Sequence, residues 1–451
     1  MQRVLVLGAG MVARPLVEYL LNNGFELTQA DLDVALAEAM INGHENGRAV
    51  QLDLADSEAL DKLVAEHDLT VSLAPPPFHP IIARHCLNHI KPMVTASYVS
   101  EEMKELDTEA RSLGVTLLNE IGVDPGIDHM SAMRIIDAVH DQGGKILAFR
   151  SYCGGLPAPE CNDNPFGYKM SWAPRGVLIA SRSNAQYLRH RIHINTPNER
   201  LFRDMHLVNI DGVGDFEAYL NRDSIKYIDI YGLEEVATMY RGTLRNIGWC
   251  DCLHNYLKLG LLDLEMRTVR RKTFRDLTAS VLGCTADDDL SEVAAEKCGI
   301  SKHSLPITNL EWLGMFDADP LPKNKMCPLG AMSARMEGRL TYRDGERDML
   351  IMKHVFVAEY ADGSREQLHS QLVDYGVPGG DSSMARTVSL PVAIAARMIL
   401  EGRITHPGVI RPITRDIYDP VLMELESLGI VCDEESETIE PANRGTGGKK
   451  R

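Results

Sequence analysis

Val4-Leu5-Val6-Leu7 runs directly into Gly8-Ala9-Gly10-Met11-Val12-Ala13, and a segment with an apolar stripe at helical spacing follows. This order is typical of the strand, glycine turn and helix that bind a dinucleotide. Gly8 permits the tight turn, Gly10 lets the backbone approach a pyrophosphate, and Ala13 is the small residue where the helix packs on the strand. The start of the helix would offer N–H groups and the positive end of its dipole to the phosphates. The stretch predicts a nucleotide site; a purely structural strand, turn and helix is the alternative.

The next apolar segment, 25–30, ends in Asp31. This residue lies about 20 positions beyond the glycine turn, where dinucleotide-binding folds carry an acid. A carboxylate there accepts hydrogen bonds from the ribose 2′-hydroxyl of NAD and repels the 2′-phosphate of NADP. Asp31 therefore predicts NAD as the preferred cofactor, with NADP as the alternative.

Length and charge limit the function further. The chain has 451 residues, enough for about two to four domains. It carries 47 basic and 64 acidic residues, a net charge of −17, and its basic block is the tail 449–451. This balance predicts no nucleic-acid partner. Because an acidic protein also repels small anions, a site for an anionic ligand must gather its own arginines.

The sequence predicts neither a metal site nor a membrane span. The cysteines are scattered without a C-x-x-C pair, and Cys250 and Cys252 lack both zinc spacing and suitably placed histidines. The longest apolar stretch, 388–400, is interrupted by Arg397 and is predicted to be a buried helix. No charged segment with a separate apolar stretch precedes the first strand. We therefore expect reduced thiols and a cytoplasmic location.

Short apolar segments alternate with helical patterns from residue 1 to about 125, which predicts a doubly wound parallel sheet. Ligands of such sheets bind beyond the carboxyl ends of the strands. The predicted strands are 3–7, 25–30, 50–52, 69–74, 93–96 and 115–119. The residues that follow them, and are therefore candidate contacts, are Asp53, 74–76, 96–98 and 122–125.

The second part of the chain has a different pattern. Strand-like segments such as 146–152, separated by long polar loops up to about 265, predict an α+β domain with a mostly antiparallel sheet. Residues 267–325 have a helical pattern, and 338–360 return to strand-like alternation, as in Arg339 to Tyr342. Helices are predicted over 382–402 and about 419–428, and the Gly/Lys-rich end, 445–451, is predicted to be disordered.

Two stretches in this second part are candidate substrate contacts. The segment 154–176 has little periodicity, and loops of that length in a compact domain are usually functional. Its packing would fix the polar groups of Lys169, Ser171 and Arg175. The segments 221–224 and 240–245 contain Arg222, Arg241 and Arg245, whose guanidinium forks suit carboxylates, although surface ion pairs are an equal alternative.

These residues together resemble the saccharopine dehydrogenase family of the glutamate-forming type. The proline-rich loop and the sequence D-P-G-I-D-H at 124–129 are the most specific parts of the likeness, which extends from residue 3 to about 430. The matching stretches are 8–13, 94–100, 122–130, 154–176, 222–224, 241–245, 383–388 and 412–420.

The resemblance implies an α/β fold with three parts. A Rossmann domain, the doubly wound parallel sheet, would comprise residues 1–125 and 376–435. An α+β mixed-sheet domain for substrate binding and dimerisation would comprise 126–266 and 330–375. Residues 267–329 would form a small helical insertion and 436–451 a tail. A homodimer is expected by analogy with the fold.

The family reaction condenses 2-aminoadipate semialdehyde with glutamate to an imine, which a nicotinamide dinucleotide reduces to saccharopine, an amino acid of lysine metabolism. By motif, the implied substrate contacts are Ser97, Tyr98, Asp124, Arg222, Thr243, Leu244 and Arg245. The implied cofactor contacts are Gly8, Gly10, Met11, Val12, Ala13, Asp31, Asp53, Ala96 and Ser171. One departure concerns Asp31, because fungal members that use NADP have an arginine just after the second strand.

This chemistry agrees with the charge pattern. Saccharopine carries three carboxylates, which arginines must hold in so acidic a protein, and Asp124 could pair with an ammonium group. Carbinolamine formation and dehydration also require proton transfer. Four residues are candidate acids or bases, each with an ordinary structural alternative: Tyr98, Cys153, Lys169 and His129.

Two other functions fit parts of the sequence. A polyamine-forming enzyme, such as carboxynorspermidine or homospermidine synthase, has the same architecture. Its substrates carry fewer carboxylates than saccharopine does, whereas the arginines at 222, 241 and 245 favour a substrate with several carboxylates. A non-catalytic protein that senses NAD would need the glycine turn, but neither the long loop nor the arginines.

Overall fold

The computed structural model describes residues 1–172, 174–269 and 272–439, which form two large β-sheets with helices around them. Elements are numbered in chain order. The first sheet is parallel throughout, with the strand order β17-β6-β5-β4-β1-β2-β3. Its strands are β1 (Arg3–Leu7), β2 (Glu26–Asp31), β3 (Gly47–Gln51), β4 (Leu69–Ser72), β5 (Met93–Val94), β6 (Thr116–Leu118) and β17 (Gly408–Ile410).

Helices cover both faces of this parallel sheet, as the alternating pattern predicts. Residues 4–7 of β1 are fully buried, and Leu16, Val17 and Leu20 form the buried stripe of the following helix. The helices are α1 (Arg14–Asn22), α2 (Val34–Ile41), α3 (Ser57–Glu66), α4 (His79–Asn88), α5 (Glu101–Lys104), α6 (Asp107–Leu113), α15 (Ser383–Leu400) and α16 (Arg415–Ser427). The doubly wound sheet is confirmed.

The second sheet is mixed, with the order β10-β11-β12-β7-β15-β16-β18 and with β8 and β9 attached beside β12. Only the pair β7 and β12 within its described strands is parallel, so the predicted, mostly antiparallel sheet is confirmed. Its strands are β7 (Lys145–Pro157), β8 (Ala185–Arg189), β9 (Ile192–Thr196), β10 (His206–Ile210), β11 (Gly214–Leu220), β12 (Thr238–Arg245), β15 (Asp348–Glu359), β16 (Arg365–Tyr375) and β18 (Cys432–Ile439).

Helices also surround the mixed sheet. They are α7 (Ile127–Asp141), α8 (Pro174–Ala180), α9 (Lys226–Tyr231), α10 (Trp249–Leu259), α11 (Phe274–Leu282), α12 (Leu290–Cys298), α13 (Leu305–Leu313) and α14 (Pro328–Arg339). A small two-stranded sheet joins β13 (Arg267–Thr268) to β14 (Lys325–Met326).

Three local expectations were wrong. Arg339 ends α14 instead of opening a strand, because Pro328 starts that helix and Met332 and Met336 bury its inner face. Residues 154–157 belong to β7, where they pair with β15, so the irregular segment is shorter than predicted. Residues 432–435 lie in β18 of the mixed sheet, although the predicted Rossmann segment extended to 435. The predicted disordered end, 445–451, lies outside the described residues.

The two sheets share one hydrophobic core. The cluster that contains Val4 and Val6 of β1 also contains Phe149 of β7 and Leu350 of β15. Among the described residues, the single helix long and apolar enough to cross a membrane is α15, and 72% of that stretch is buried within the protein. The predicted buried helix is therefore confirmed, and it packs on α1.

Candidate active site

A cavity of about 340 Å³ lies between the carboxyl ends of the parallel strands and the mixed sheet. That volume is within the range of small-molecule sites. The glycine turn supplies Val12 to its wall, and the mixed sheet supplies Cys153, Thr243 and Arg245. A nucleotide bound at the turn would therefore face the same cavity as groups from the second sheet.

The backbone of the glycine turn suits a phosphate. Gly8 has a φ of 105°, and a Cβ at this position would lie 3.0 Å from the Leu73 carbonyl oxygen, so a side chain does not fit. A Cβ at Gly10 would meet no atom within 4 Å. The cap residue of α1, Ala13, offers no side-chain hydrogen bond to the first helical N–H groups. Those donors and the helix dipole fit an anion.

Asp31 lies at the end of β2, directly beside the glycine turn. Its Oδ2 accepts a hydrogen bond from the Ala9 N–H at 2.7 Å, and its Oδ1 accepts one from the Asp33 N–H at 2.9 Å. The carboxylate is thus fixed next to the turn, where the ribose of a dinucleotide would lie.

The other predicted cofactor contacts lie in two places. Met11 and Asp53 are exposed at the carboxyl edge of the parallel sheet, and Ala96 is half-buried after β5. Ser171 comes instead from the long loop, and its buried hydroxyl has no hydrogen-bond partner in the described structure. A buried hydroxyl without a hydrogen-bond partner is unfavourable, so a polar group of a bound ligand would supply the missing hydrogen bond.

Arg245 is the buried cation of the cavity. The residue is 5% exposed, and its guanidinium lies over the rings of Tyr168, at 4.9 Å, and Trp249, at 5.5 Å. Its Nη1 donates to the Leu244 carbonyl at 2.7 Å, whereas Nε has no partner and no carboxylate pairs with it among the described residues. Burying a charge without a counter-charge is costly. The site is therefore prepared for an anionic ligand.

Arg222 provides a second cation at the cavity wall. It is exposed, has a φ of 54°, and lies 5.5 Å from the centre of the Tyr98 ring. The Lys226 ammonium lies 5.3 Å from the same ring. This side of the cavity is therefore positive and open, which suits a second carboxylate.

Contrary to expectation, Arg241 does not line the cavity. Its Nη2 donates to Asp124 Oδ1 at 2.7 Å and also bonds Asp128 Oδ2, and all three side chains are largely buried. The sequence could not show this pairing, because Asp124 and Asp128 lie more than a hundred positions before Arg241, in the segment that joins the two sheets. Arg241 is a structural counter-charge.

Tyr98 completes this cluster on the cavity side. Its hydroxyl donates to Asp124 Oδ1 at 2.9 Å. Burial raises the pKa of Tyr98 well above its ordinary value, and the neighbouring carboxylate of Asp124 raises it further. Burial also raises the pKa of Asp124, although the Arg241 guanidinium opposes that shift. The pair therefore holds a proton close to the cavity.

A second buried carboxylate, Glu120, lies behind this pair. It forms a hydrogen bond of 2.9 Å with His129 Nε2 and an ion pair of 2.9 Å with Arg411. Burial alone would raise the pKa of Glu120, but the contacts with His129, Arg411 and the Val99 N–H outweigh it and lower the pKa to about 2. Glu120 was not among the predicted site residues, and its position directly after the predicted strand 115–119 was the available signal.

Several predicted residues do not face the cavity. The Ser97 hydroxyl bonds His79 Nε2 at 2.7 Å, and the Leu244 side chain is fully buried in the core. Lys169 is buried in ion pairs with Glu346, at 2.6 Å, and Asp163, at 2.8 Å. His129 is fully buried behind Glu120. Cys153 does line the cavity, and burial raises the pKa of its thiol well above the ordinary value.

An apolar wall was missed by the sequence interpretation. Leu350 of β15, Met384 and Val388 of α15, and Trp172 and Leu201 also line the cavity. These residues belong to elements far apart in the chain. Trp172 lies in the predicted substrate segment 154–176, and Met384 and Val388 lie in the matching stretch 383–388, but none of the five was predicted as a contact.

Comparisons with known proteins cover nearly the whole chain. Residues 4–118 match the family model described as the saccharopine dehydrogenase NADP binding domain, and residues 122–430 match that of the saccharopine dehydrogenase C-terminal domain. The Schizosaccharomyces pombe protein named saccharopine dehydrogenase (NADP+, L-glutamate-forming) is 39% identical, with 96% of this chain and 99% of that protein covered. Alpha-aminoadipic semialdehyde synthase, mitochondrial, of Bos taurus is 37% identical over 96% of this chain and 48% of its own length.

The fold has an experimental counterpart. The structure of apo histidine-tagged saccharopine dehydrogenase (L-Glu forming) from Saccharomyces cerevisiae superposes with a TM-score of 0.88 at 36% identity, covering 97% of this chain and 100% of that one. At this similarity the whole architecture is shared.

Glu120 gives a prediction for stability against pH. Its pKa is about 2 in the folded protein, compared with about 4.3 in an unfolded chain, so its contribution is complete above that value and is lost as the pH falls toward 2. The advantage of the native protein over Glu120→Gln in free energy of unfolding should therefore be smaller at pH 3 than at pH 7 by about 2 kcal/mol. Urea unfolding at both pH values measures this, with Glu45→Gln, at an exposed position, as the control. A difference that does not change with pH would contradict the assignment.

Proposed function

The chain belongs to the saccharopine dehydrogenase family, and we propose that it catalyses the glutamate-forming reaction of that family. In this reaction saccharopine is converted reversibly to 2-aminoadipate semialdehyde and glutamate. The match to the two fungal proteins over almost their entire length supports the reaction class. The observation that carries the substrate is the buried guanidinium of Arg245, which has no carboxylate partner in the described structure and faces the cavity beside the glycine turn.

The reaction requires a hydride acceptor, proton transfers and water. A bound nicotinamide dinucleotide supplies the hydride acceptor, and the glycine turn, Asp31 and Ser171 would hold it. In the oxidative direction the secondary amine of saccharopine loses a hydride from carbon and a proton from nitrogen, giving an imine. Water adds to the imine carbon, and the carbinolamine then breaks its C–N bond to release the aldehyde and glutamate. The protein must orient the substrate and move these protons.

The cavity offers groups for each part of saccharopine. Arg245 and Arg222 would bind carboxylates at two separate positions, each through several N–H groups. Leu350, Met384 and Val388 would pack against the methylene chain of the aminoadipate part. A ligand with carboxylates at its ends and an apolar middle therefore fits the distribution of charge.

We assign the proton transfers to the pair Tyr98 and Asp124. The phenol already donates to the carboxylate at 2.9 Å, and both residues line the cavity. Cys153 lies at the same wall and could take part only as a neutral thiol. Lys169 and His129 are less suitable, because ion pairs and burial keep both away from the cavity.

The alternative substrates are less favoured. A polyamine substrate would bring amino groups toward Arg222 and Arg245, where like charges repel. A protein that only senses NAD would not need a buried, unpaired arginine in the cavity beside the glycine turn. The homodimer and the cytoplasmic location remain our predictions.

A product assay tests the function. The purified protein should consume NADH or NADPH when given 2-aminoadipate semialdehyde and glutamate, and saccharopine should appear as the product. Replacing glutamate by 1,3-diaminopropane should abolish turnover. Turnover with the diamine would instead favour a polyamine-forming enzyme, and cofactor binding without turnover would favour a sensor.

Substitution of Arg245 tests the substrate site. Arg245→Ala should raise the KM for saccharopine at least about tenfold, because a charged hydrogen-bond pair is lost. The dissociation constant for NADH, measured by fluorescence titration, should change less than about twofold. Arg189→Ala, at an exposed position on the same sheet, is the matched control. An unchanged KM would remove Arg245 from the site.

Asp31 leads us to propose a preference for NAD(H). The matched domain model and the fungal relatives are named for NADP, so this preference would distinguish the chain from them. The kcat/KM for NAD should exceed that for NADP, and Asp31→Ser should reduce the ratio, because it removes the negative charge facing a 2′-phosphate. Parallel steady-state kinetics with both cofactors measures the ratio. Equal or better kcat/KM with NADP would overturn the preference.

A further inference from the structure

Glu120 holds the backbone on both sides of Tyr98. Its own N–H donates to the Ser97 carbonyl at 3.1 Å, and its Oε1 accepts a hydrogen bond from the Val99 N–H at 3.0 Å. Ser97 and Val99, the two neighbours of Tyr98 in the chain, are therefore both hydrogen-bonded to Glu120. The two bonds restrain the backbone on either side of Tyr98, in addition to the bond of the Ser97 hydroxyl to His79 and that of the Tyr98 hydroxyl to Asp124.

Glu120 is itself held in an unusual conformation. Its φ is 58°, in the left-handed region that residues other than glycine rarely adopt, and it is 1% exposed. Such conformations persist where the surroundings enforce them, and they occur preferentially at functional sites. The enforcing contacts here are the hydrogen bond to His129 and the ion pair with Arg411.

These contacts connect the loop to the end of the parallel sheet and to two helices that pack around the mixed sheet. Arg411 follows β17 of the parallel sheet, whereas His129 lies in the first turn of α7 and bonds the hydroxyl of Tyr231 in α9 at 2.6 Å through Nδ1. Glu120 thus lies between the two parts of the molecule that must be aligned for hydride transfer. A neutral hydrogen-bond acceptor could satisfy the Val99 N–H alone, but only an anion also pairs with Arg411 and His129.

The aromatic ring and the hydroxyl of Tyr98 both take part in the site. The ring lies beneath the Arg222 guanidinium, and the hydroxyl bonds Asp124. Rotation or displacement of the loop would move the hydroxyl away from the carboxylate without changing Arg245. Proton transfer is sensitive to displacements of this kind, since donor and acceptor must stay within hydrogen-bond distance.

We infer that Glu120 is a positioning residue for catalysis, which acts by fixing the Ser97–Val99 backbone so that the Tyr98 hydroxyl stays on Asp124. The inference rests on the proposed function, in which Tyr98 and Asp124 transfer protons. Glu120 itself does not line the cavity and touches no reacting atom.

A double-mutant cycle with Glu120→Gln and Tyr98→Phe tests the inference. Glu120→Gln should lower kcat at least about tenfold and change the KM for saccharopine less than about threefold, since Arg245 and Arg222 stay in place. Tyr98→Phe should also lower kcat. If Glu120 acts through the Tyr98 hydroxyl, adding Glu120→Gln to Tyr98→Phe should lower kcat further by less than about threefold. The solvent deuterium isotope effect on kcat should rise in Glu120→Gln, because proton transfer becomes slower.

The control is Asp107→Asn. Asp107 also accepts a backbone N–H, that of Val409, at 2.8 Å, and pairs with Arg111 in the same part of the protein. It has no bond to the Ser97–Val99 segment, so its substitution should leave kcat and the isotope effect unchanged. If Glu120→Gln does not fold, His129→Gln replaces it, because this variant keeps both bonds of Glu120 to the Ser97–Val99 backbone. His129→Gln should lower kcat less than Glu120→Gln, and this loss should likewise be reduced when Tyr98→Phe is already present.

The outcomes separate this inference from the proposed function. Suppose that the native protein turns over saccharopine and that the kcat losses of Glu120→Gln and Tyr98→Phe multiply in the double variant. This result would reject the positioning role of Glu120 but leave the proposed function intact. A rise in KM without a fall in kcat would reject it as well. Absence of turnover by the native protein with saccharopine and either cofactor would reject the proposed function.

Discussion

Burying a charged group without a partner is costly, and the ion pairs that avoid this cost fix the junction of the two sheets. Asp124 and Asp128 share the guanidinium of Arg241, and Glu120 shares its charge with His129 and Arg411. Removing one partner would leave an uncompensated charge in the interior, which costs several kcal/mol. The segment 120–129 therefore cannot shift independently of β12 or of the end of the parallel sheet, and it carries the cavity wall with it.

The shared hydrophobic core makes the same junction stiff. Side chains of β1, β7, β15 and α15 belong to one cluster, so the two sheets are not separate bodies joined by a linker. Interiors of this kind are close-packed and resist small displacements. This packing restrains the buried residues that line the cavity. Two cations with no ion-pair partner in the described structure, Arg222 and Arg245, lie at this cavity of a strongly acidic chain. We propose that the carboxylates of the substrate supply the missing charges.

The sequence predicted the elements with local signals and missed those that depend on distant partners. The glycine turn, the position of Asp31 and the alternation of strands and helices were correct, because each depends on neighbours within about 30 residues. Arg339 to Tyr342 was predicted as a strand from alternation alone, although Pro328 and the buried Met332 make it the end of a helix. Arg241 and Arg245 have the same residue type and lie on the same face of β12, yet one is a structural counter-charge and the other faces the cavity without a carboxylate partner in the described structure.

By itself the sequence determined a dinucleotide turn, two kinds of sheet and a resemblance specific enough to indicate the family. Periodicity and turn chemistry are local, so they can be interpreted without knowing which segments meet. The tertiary structure alone decided which charges are satisfied within the protein and which are left for a ligand. That distinction depends on contacts between residues more than a hundred positions apart, such as Arg241 with Asp124 and Arg411 with Glu120, and no local pattern encodes them.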